Sequence, residues 1–350
     1  MNHMFVYVLP GKNTNNTYIE LFKRSIKTAS PELTLVDLPT DDLWYVVRSV
    51  WRTARAKHIV HIHWPTILYG SAFTVKSLYL LVRNGILLAL LKGVLRVRVV
   101  WTVHNAFAHD YPHPWIDRIG TALVRSCADV ILLQQRCTKS AYERFFPRKR
   151  LEYLPHGSYE GVYGPRQERR LEWRERLGFL ADDIVLLSLG VIAPYKRNEE
   201  IIRAVLEQSH PRVRLLIAGK GDKTYIDRLK ALAGGSQRIH IQDEFIPNEE
   251  IATYLANTDY AVFFYDDSEM TSGGMVLALS YGVPVLTRQI PAAELITEKN
   301  GKVFRSRSEL VTLLDGLTKH AYTADSVQNT VRGTEWSTVG KQLIRIYQSL

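Results

Sequence analysis

Residues 263–285 read FFYDDSEMTSGGMVLALSYGVPV. The apolar run at the start predicts a buried strand, and the acidic, polar loop after it reaches Ser272, a residue type that caps helix N-termini. An apolar helix then runs to Gly282, and Pro284 begins a new strand. These residues therefore predict one strand–helix–strand unit, the building block of a parallel sheet.

The same alternation of strands and helices runs through the whole chain of 350 residues. Strands are predicted at 4–9, 58–63, 97–103, 130–133, 151–155, 184–189, 213–218, 239–242, 260–264 and 283–287. Helices are predicted between them, including 18–29, 44–57, 115–128, 198–207 and 249–256. Two sets of about five strands predict an α/β protein with two doubly wound, Rossmann-like parallel-sheet domains that face each other across a cleft.

A glycine-rich segment separates the two sets of strands. Three glycines and a proline at 157–165 are followed by a charged stretch and a new strand. We expect a first domain at 1–165, a second at 166–335, and a terminal helix at 336–350 that packs back on the first domain. Ligands of such sheets bind beyond the carboxyl ends of the strands, so we expect the chemistry there.

The charge of the chain is divided unevenly. The formal net charge is +10, from 45 Lys and Arg against 35 Asp and Glu. Residues 1–165 hold 21 basic and 11 acidic residues, a balance of +10, whereas residues 166–350 hold 24 of each. The first half is therefore expected to face an anionic partner, and the second half a different one.

Composition excludes several classes of protein. With 46% apolar residues the chain can fill two cores and is not disordered. Cys127 and Cys137 are too few for a disulfide framework or a structural zinc site, and we expect both thiols to be reduced. In the apolar segment at 72–95 the longest uncharged piece, 84–91, is far shorter than the about 20 residues of a membrane span. We expect a helix that touches a membrane at most.

The strand predicted at 184–189 runs into a turn that carries two cations. Gly190 ends the strand, and Tyr195, Lys196 and Arg197 follow just before a helix. Backbone amides, a helix N-terminus and basic side chains together suit a diphosphate. The alternative is a basic loop on a solvated surface.

Two more strand ends in the second half carry glycines. Gly219 follows the strand at 213–218 and lets a backbone approach a ligand, although any strand-to-helix turn can look like this. Gly273 and Gly274 take the first helical positions after Ser272, where glycine is a poor helix former. We expect them to present backbone N–H groups to an anion, the alternative being helix capping alone.

A strand end in the first half carries titratable side chains. The strand at 97–103 delivers His104, Asn105, His109 and Asp110, and a His or an Asp here could act as a general base. The two histidines are five residues apart with no third partner nearby, so the spacing does not fit a zinc site.

The strand at 58–63 ends in histidine and tryptophan. His61 and His63 point to the same face of a regular strand, and Trp64 follows. An exposed indole at a strand end suits stacking on a sugar ring, and an ordinary core tryptophan is an equally open alternative.

The predicted helix at 44–57 separates its residues by type. Trp44, Val47, Trp51 and Ala54 fall on one side, and Arg48, Arg52 and Arg55 fall on another. Such a helix could lie on an anionic membrane surface. The alternative is a solvated helix whose tryptophan side is core.

Together these motifs resemble the GT-B glycosyltransferases, and more narrowly the bacterial GDP-mannose:glycolipid β-mannosyltransferases of xanthan-type exopolysaccharide assembly. The resemblance rests on residues 16–18, 61–65, 104–105, 109–110, 156–159, 190–196, 265–279 and Trp336. Thr17 stands where the xanthan-type enzymes have proline. Val191 and Leu277 stand where many retaining GT-B enzymes have Arg and Glu, which favours inversion.

The resemblance implies a hexosyltransferase that needs no metal and no cofactor. It would move a hexose, with mannose favoured, from a nucleotide sugar to a saccharide on a lipid diphosphate, at the inner face of the cell membrane. A retaining transferase that uses UDP-glucose, UDP-glucuronic acid or UDP-GlcNAc stays open, and so does a nucleotide-sugar epimerase. A nucleic-acid-binding protein ranks last, because no nucleic-acid motif is present. The oligomeric state stays open.

The resemblance also implies three groups of site residues. The general base is expected to be Asp110, with His104 second and His109 beside them. Donor-binding residues are expected to be Gly190, Tyr195, Lys196, Arg197, Gly219, Phe245, Ile246, Tyr265, Asp267, Glu269, Thr271, Ser272, Gly273 and Gly274. Of these, the pair at 245–246 would lie near the base, and the two acids would contact sugar hydroxyls. Acceptor-binding residues are expected to be Asn16, Tyr18, His63, Trp64, Asn105, His156 and Tyr159.

Overall fold

The computed structural model divides into two compact units. Unit 1 contains Met1–Gly157 together with Trp336–Leu350, and unit 2 contains Ser158–Glu335. The division falls after Gly157, earlier in the chain than the boundary expected at residue 165. The residues described are 3–11, 17–39, 41–53, 55–105, 111–136, 139, 143, 148–168, 171–267 and 270–350.

Unit 1 is built on one parallel sheet. Its elements are β1 (Met4–Leu9), α1 (Thr17–Ala29), β2 (Thr34–Val36), α2 (Leu43–Arg52), β3 (Lys57–Ile62), a 3₁₀ turn (Pro65–Leu68), α3 (Thr74–Gly93), β4 (Arg98–Val103), α4 (Pro114–Cys127), β5 (Val130–Leu133) and β6 (Arg150–Tyr153). The strand order is β2-β1-β3-β4-β5-β6, and all pairs are parallel. The strand order changes direction between β1 and β3, the place where such sheets bind ligands.

Unit 2 is built on a second parallel sheet. Its elements are α5 (Leu171–Arg176), β7 (Ile184–Leu189), a 3₁₀ turn (Pro194–Lys196), α6 (Asn198–Glu207), β8 (Val213–Gly219), α7 (Lys223–Ala233), β9 (Ile239–Asp243), α8 (Asn248–Ala256), β10 (Tyr260–Phe263), α9 (Gly273–Ser280), β11 (Val285–Arg288), a 3₁₀ turn (Pro291–Leu295), β12 (Gly301–Phe304), α10 (Arg307–Asp315) and α11 (Ala324–Asn329). The order is β12-β11-β10-β7-β8-β9, with the change of direction between β7 and β10.

The last helix, α12 (Trp336–Gln348), belongs to unit 1 and packs on α1. Its residues Val339, Leu343 and Tyr347 are buried with Phe22 and Ile26 of α1 in one core. A second core lies on the other side of the sheet, where α2, α3 and α4 pack. The sheet of unit 1 is therefore covered on both faces, as a doubly wound sheet requires.

The predicted fold class is confirmed, and each sheet has six strands rather than about five. The predictions missed β2 and β12. Strand β2 is only three residues long, and β12 carries the exposed Lys302 and Val303 in place of a continuous apolar run. The helix predicted at 44–57 ends at Arg52, because β3 already begins at Lys57.

The two tryptophans of α2 do not lie in the core, although Val47, predicted on the same side of the helix, is buried. Leu43, Val46 and Val50 face the interior, whereas Trp44 and Trp51 are exposed, the latter to 74%. The Arg48 guanidinium lies over the Trp44 ring at 5.5 Å. The interpretation of these two tryptophans as core residues is therefore wrong.

Among the described residues, α3 is the one helix long and apolar enough to cross a membrane by length and composition. One face of the helix packs into unit 1 through Ser77, Leu81, Leu88 and Leu91. The Asn84 amide on the same face donates a hydrogen bond to the Leu68 carbonyl. The helix is therefore a packed layer of unit 1 with its other face outward.

A test of the packing of α12 on α1 uses Gly340, where an added Cβ would lie 2.4 Å from the Ser25 carbonyl oxygen. We expect Gly340→Ala to lower the free energy of unfolding of unit 1 by about 1–3 kcal/mol, because a backbone must move. Gly93→Ala is the control, since nothing lies within 4 Å of its added Cβ.

Denaturant unfolding followed by tryptophan fluorescence measures the effect of both variants. Trp173 is in unit 2, and the other six tryptophans are in unit 1, so the signal reports on unit 1. Equal stability of the Gly340 and Gly93 variants would contradict the close packing.

Candidate active site

The ends of β7 and β8 approach each other through their backbones. The Gly190 N–H donates to the Ala218 carbonyl at 2.9 Å. An added Cβ at Gly219 would lie 2.0 Å from the Gly190 carbonyl oxygen, and the φ angles of the two glycines are +150° and +98°. Only glycine fits both positions, so these residues form a bare backbone turn at the edge of the sheet.

A buried ammonium group lies inside this turn. Lys196 is only 8% exposed, and its Nζ donates to the Leu189 carbonyl at 2.9 Å. A Cβ at Gly190 would lie 3.3 Å from that Nζ. The structure thus places Lys196 at the end of a buried strand, and the alternative of a basic loop on a solvated surface does not describe this side chain.

Arg197 follows in the left-handed conformation, with φ +49°. Its guanidinium lies over the Phe264 ring at 5.3 Å, so the cation is held against the loop after β10. The Asp266 N–H donates to the Tyr195 carbonyl at 3.0 Å, and the Tyr195 and Tyr265 rings stack at 5.9 Å. The loops after β7 and β10 are therefore tied together.

Helix α9 begins in this region. The Ser272 hydroxyl caps it by accepting from the Met275 N–H at 3.2 Å, and the same hydroxyl donates to the Tyr265 hydroxyl at 3.1 Å. A Cβ at Gly274 would meet the Phe263 ring at 3.0 Å, so packing is one reason for glycine there. Gly273 is half-buried. The arrangement leaves a helix N-terminus rimmed by Thr271 and glycine, which suits an anion.

Asp267 forms an ion pair with a residue that the sequence analysis missed. Arg288, at the end of β11, binds the Asp267 carboxylate at 2.7 Å and donates to the Tyr265 carbonyl at 3.1 Å. The sequence places Arg288 at the end of a predicted strand, beside the other loops of the site, and this position could have identified it as a site residue. Asp267 is thus paired in the structure, and a role in binding sugar hydroxyls stays a prediction.

Phe245 and Ile246 follow β9 at the same edge of the sheet. The Phe245 ring is 71% exposed, and Ile246 is buried. An exposed flat ring at a strand end can stack on a planar ligand. The expected role at the nucleotide base stays a prediction.

In unit 1 the site residues form a cluster of histidines and aromatic rings. The His61 and His63 rings stack at 4.6 Å and 3° apart, which confirms that both lie on one face of the strand. His63 Nδ1 and His104 Nε2 share a hydrogen bond of 3.0 Å, and the Trp64 ring stacks on His104 at 4.5 Å. The turns after β3 and β4 thus meet.

Tyr18 lies in the middle of this cluster. Its ring centroid is 5.0 Å from that of His104, 4.9 Å from that of His156 and 5.4 Å from that of Trp336. The Gln134 amide donates to the Tyr18 hydroxyl at 3.1 Å. The structure therefore brings together Tyr18, His63, Trp64 and His156, four of the predicted acceptor residues.

Burial keeps these histidines neutral. Removal from water lowers the pKa of His61 and His104 to about 3 and that of His156 to about 4, and it lowers the pKa of His63 well below its usual range. A ring with so low a pKa is a weak proton acceptor near neutral pH. Its chemistry favours His104 as a hydrogen-bonding and positioning group.

The remaining predicted residues differ in exposure and place. Trp64 and Asn105 are half-buried, so a ligand can reach part of each. Tyr159 is in unit 2, where its N–H donates to the Ser280 hydroxyl at 2.9 Å and its ring stacks on Tyr163. The predicted residues Asn16, His109, Asp110 and Glu269 lie outside the described residues. Within the described residues, no group of three or more His, Cys, Asp or Glu could hold a metal.

Comparison with known proteins gives the class. Residues 169–314, most of unit 2, match the family of group 1 glycosyl transferases. The matched segment supports a glycosyltransferase, and the two doubly wound sheets are those of the GT-B fold. No curated protein sequence matches the chain significantly.

Solved structures share the fold at low sequence identity. Anabaena Alr3699/HepE in complex with UDP and glucose is 14% identical, covering 99% of this chain and 100% of its own, with a TM-score of 0.69. Sucrose-phosphate synthase of Thermosynechococcus elongatus is 14% identical, covering 99% and 98%, with a TM-score of 0.72. A glycosyltransferase of Rickettsia africae is 12% identical, covering 99% and 98%, with a TM-score of 0.65.

The buried histidines make the stability of unit 1 depend on pH. The unfolded chain binds protons at them near the ordinary pKa of 6.5, whereas folded His61 and His104 do so only near pH 3. Stability is therefore fully present above about pH 7 and falls on acidification. Between pH 7 and pH 5, the neutral state of each of these two rings should lower the free energy of unfolding of unit 1 by about 2 kcal/mol.

Unfolding titrations of His104→Gln at pH 7 and pH 5 measure this dependence. We expect a shallower fall in the free energy of unfolding than in the wild type. His3→Gln, at an exposed histidine, should keep the wild-type slope. An unchanged slope in the His104 variant would contradict the neutral, buried state of that ring.

Proposed function

We propose that this glycosyltransferase moves a hexose, with mannose favoured, from a nucleoside diphosphate sugar to a saccharide carried on a lipid diphosphate in exopolysaccharide synthesis. The observation that carries the donor half of the proposal is the turn at Gly190, which holds the buried Lys196 ammonium group beside bare backbone. It lies where the strand order of unit 2 changes direction, the usual ligand position in such sheets.

Lys196 and Arg197 would balance the charge of the diphosphate, and the N-terminal amides of α9 would add hydrogen bonds. These groups are held in place before the reaction, by the contacts of Tyr195 and Tyr265 and by the ring under Arg197. Preorganised donors of this kind stabilise charge that develops on a leaving group. We propose that they release the nucleoside diphosphate without a metal.

The nucleoside and sugar are the next part of the proposal. The sequence resemblance favours GDP-mannose, with the exposed Phe245 ring stacking on the base. The second candidate is a retaining transfer from a UDP-sugar. The UDP-sugar part of this candidate is supported by the similar Anabaena protein, whose structure holds UDP and glucose.

In unit 1 the saccharide acceptor would meet the half-buried Trp64 and Asn105. Within the described part of the chain, His63 Nε2 and Trp336 Nε1 are buried atoms without a hydrogen-bond partner, and we propose that an acceptor hydroxyl that enters the cluster supplies one. An aromatic, largely uncharged cluster suits the apolar face of a sugar ring. The cytoplasmic leaflet of the membrane is the proposed location, because a lipid-linked acceptor is anchored in a bilayer.

The proposed reaction inverts the anomeric carbon. The Asp110 carboxylate takes the proton of an acceptor hydroxyl as its oxygen attacks that carbon, and the bond from the carbon to the diphosphate oxygen breaks. The electron pair of the broken bond leaves with the diphosphate, and Lys196 and Arg197 stabilise the negative charge that develops on it. His104, held neutral by burial, would orient the reacting groups.

The donor site is tested by Lys196→Ala. We expect donor affinity to fall about tenfold or more, because a hydrogen bond to a charged group is worth about 1.5–3 kcal/mol. Thermal-shift titrations with GDP-mannose, UDP-glucose and dTDP-glucose measure the affinity and identify the nucleoside. Lys230→Ala removes an exposed lysine from α7 of the same unit and is the matched control.

A full wild-type response in Lys196→Ala would contradict the placement of the diphosphate. A response to UDP-glucose alone would overturn the GDP-mannose proposal and support the second candidate. An absence of response to every donor would overturn the donor site itself.

The general base is tested by Asp110→Asn with saturating donor. We expect kcat to fall about a hundredfold or more while the thermal shift with donor stays unchanged, because the amide cannot accept the proton. Sugar transfer to a lipid-diphosphate acceptor is the measurement, with the anomeric configuration of the product read by NMR. Nearly full kcat in the variant, or a retained configuration, would contradict the inverting mechanism.

A further inference from the structure

Helix α3 exposes an uncharged apolar stripe. Val75, Tyr79, Val82 and Ile86 are each more than 60% exposed, and Leu78 is exposed to 37%. Their spacing of three and four residues places them on one face of the helix. The opposite face is the buried one, so α3 is apolar on both sides although only one side meets the core.

Helices α2 and α4 flank this stripe in the same layer. The Arg83 guanidinium of α3 pairs with Asp42, the N-cap of α2, at 2.7 Å. On the other side Gly85 of α3 faces Leu123 of α4. All three helices contribute to the core on one side of the sheet, so their outward faces form one surface.

The flanking helices add aromatic and basic side chains to this surface. Trp44 and Trp51 of α2 and Trp115 and Ile119 of α4 are exposed. Exposed cations stand among them at Arg48, Arg52, Arg55, Lys76 and Arg118. Tryptophan next to arginine and lysine is the composition of helices that lie at a membrane interface.

Acidic residues are missing from this part of the sequence. Residues 43–109 contain nine Lys and Arg and no Asp or Glu. In α4 the single acid, Asp117, is buried and accepts a hydrogen bond from the Tyr69 hydroxyl at 2.7 Å. The segment that contains α2 and α3 thus carries nine cations and no acid, and Arg48, Arg52 and Lys76 among them are exposed on these two helices.

We infer that the outward faces of α2, α3 and α4 form a membrane-docking surface that inserts the α3 stripe into an anionic lipid bilayer. The inference rests on the proposed function, because a lipid-linked acceptor would be presented at such a bilayer. Apolar side chains give insertion, and the surrounding cations select anionic headgroups. The helix lies in the interface and does not cross it, since its other face is core.

The charge pattern favours a bilayer over a second copy of the chain. A symmetric dimer would bring this surface against itself, and its exposed cations would meet like charges, while Asp42 at the start of α2 is already paired with Arg83. An anionic bilayer offers both the complementary charge and an apolar layer. The occupant is therefore lipid.

The test is co-sedimentation of the full chain with vesicles of phosphatidylcholine, alone or mixed with phosphatidylglycerol. We expect binding to the mixed vesicles, a blue shift of tryptophan emission, and partial survival of binding in about 1 M salt, where the Debye length is about 3 Å. Val82→Glu combined with Ile86→Glu should weaken binding at least about tenfold, because two inserted side chains become charged.

The control is Leu171→Glu, which charges a comparably exposed apolar residue in unit 2 and should leave binding unchanged. Val75→Glu, at an 81% exposed position near the start of α3, is a single α3 variant that replaces the double variant if the double variant folds poorly. Circular dichroism and thermal unfolding should match the wild type for all of them.

Three outcomes would overturn the inference. They are no binding of the wild type to mixed vesicles, binding equal to wild type in both α3 variants, and a dimer by light scattering that the α3 variants dissociate. The vesicle assay contains no sugar, so its failure leaves the transferase proposal standing. If the wild type binds the vesicles but transfers no sugar to a water-soluble acceptor, the result counts against the transferase proposal alone.

Discussion

Parallel strand pairing is the constraint on which the rest of the structure depends. In unit 2, β7 pairs in parallel with both β8 and β10, so the loops after all three strands leave the sheet at one edge. This is why Lys196, Gly219 and Tyr265 lie in one region although they are far apart in sequence. In unit 1 the parallel pairing of β3 with β4 brings His63 beside His104 in the same way.

The two units handle charge differently at these edges. Unit 2 places a buried ammonium group and a helix N-terminus at its site, a setting for an anion that arrives from solution. Unit 1 fills its site with neutral histidines and aromatic rings, and it exposes Arg48, Arg52, Lys76 and Arg118 on its outer helices. The balance of +10 in the first half of the chain therefore does not come from the histidine cluster.

The features that the sequence could predict are those set by local pattern. Alternating strands and helices sufficed for the fold class, and the turn at Gly190 with its following Lys196 was predicted from a strand end. The common face of His61 and His63 followed from the period of a strand. Strands β2 and β12 were not predicted, because a short or half-exposed strand contains too few consecutive apolar residues to be recognised.

The features that the sequence could not predict depend on tertiary contacts. The pairing of Arg288 with Asp267 joins two loops, and the hydrogen bond of 2.6 Å between the Tyr347 hydroxyl and His61 joins the last helix to the third strand. The exposure of Trp44 and Trp51 depends on which side of α2 meets the core. The apolar residues of that helix allowed either side, and the packing of Leu43, Val46 and Val50 decides it.

The central claim is that unit 2 binds the diphosphate of the donor. Hydrogen exchange of the backbone amides, with and without a nucleoside diphosphate hexose, tests it most directly because exchange is measured separately for each segment of the chain. The account predicts protection at residues 190–197 and 271–276 of unit 2, where the turn after β7 and the start of α9 would hold the diphosphate. Protection confined to unit 1, or none in these two segments at a saturating donor concentration, would contradict it.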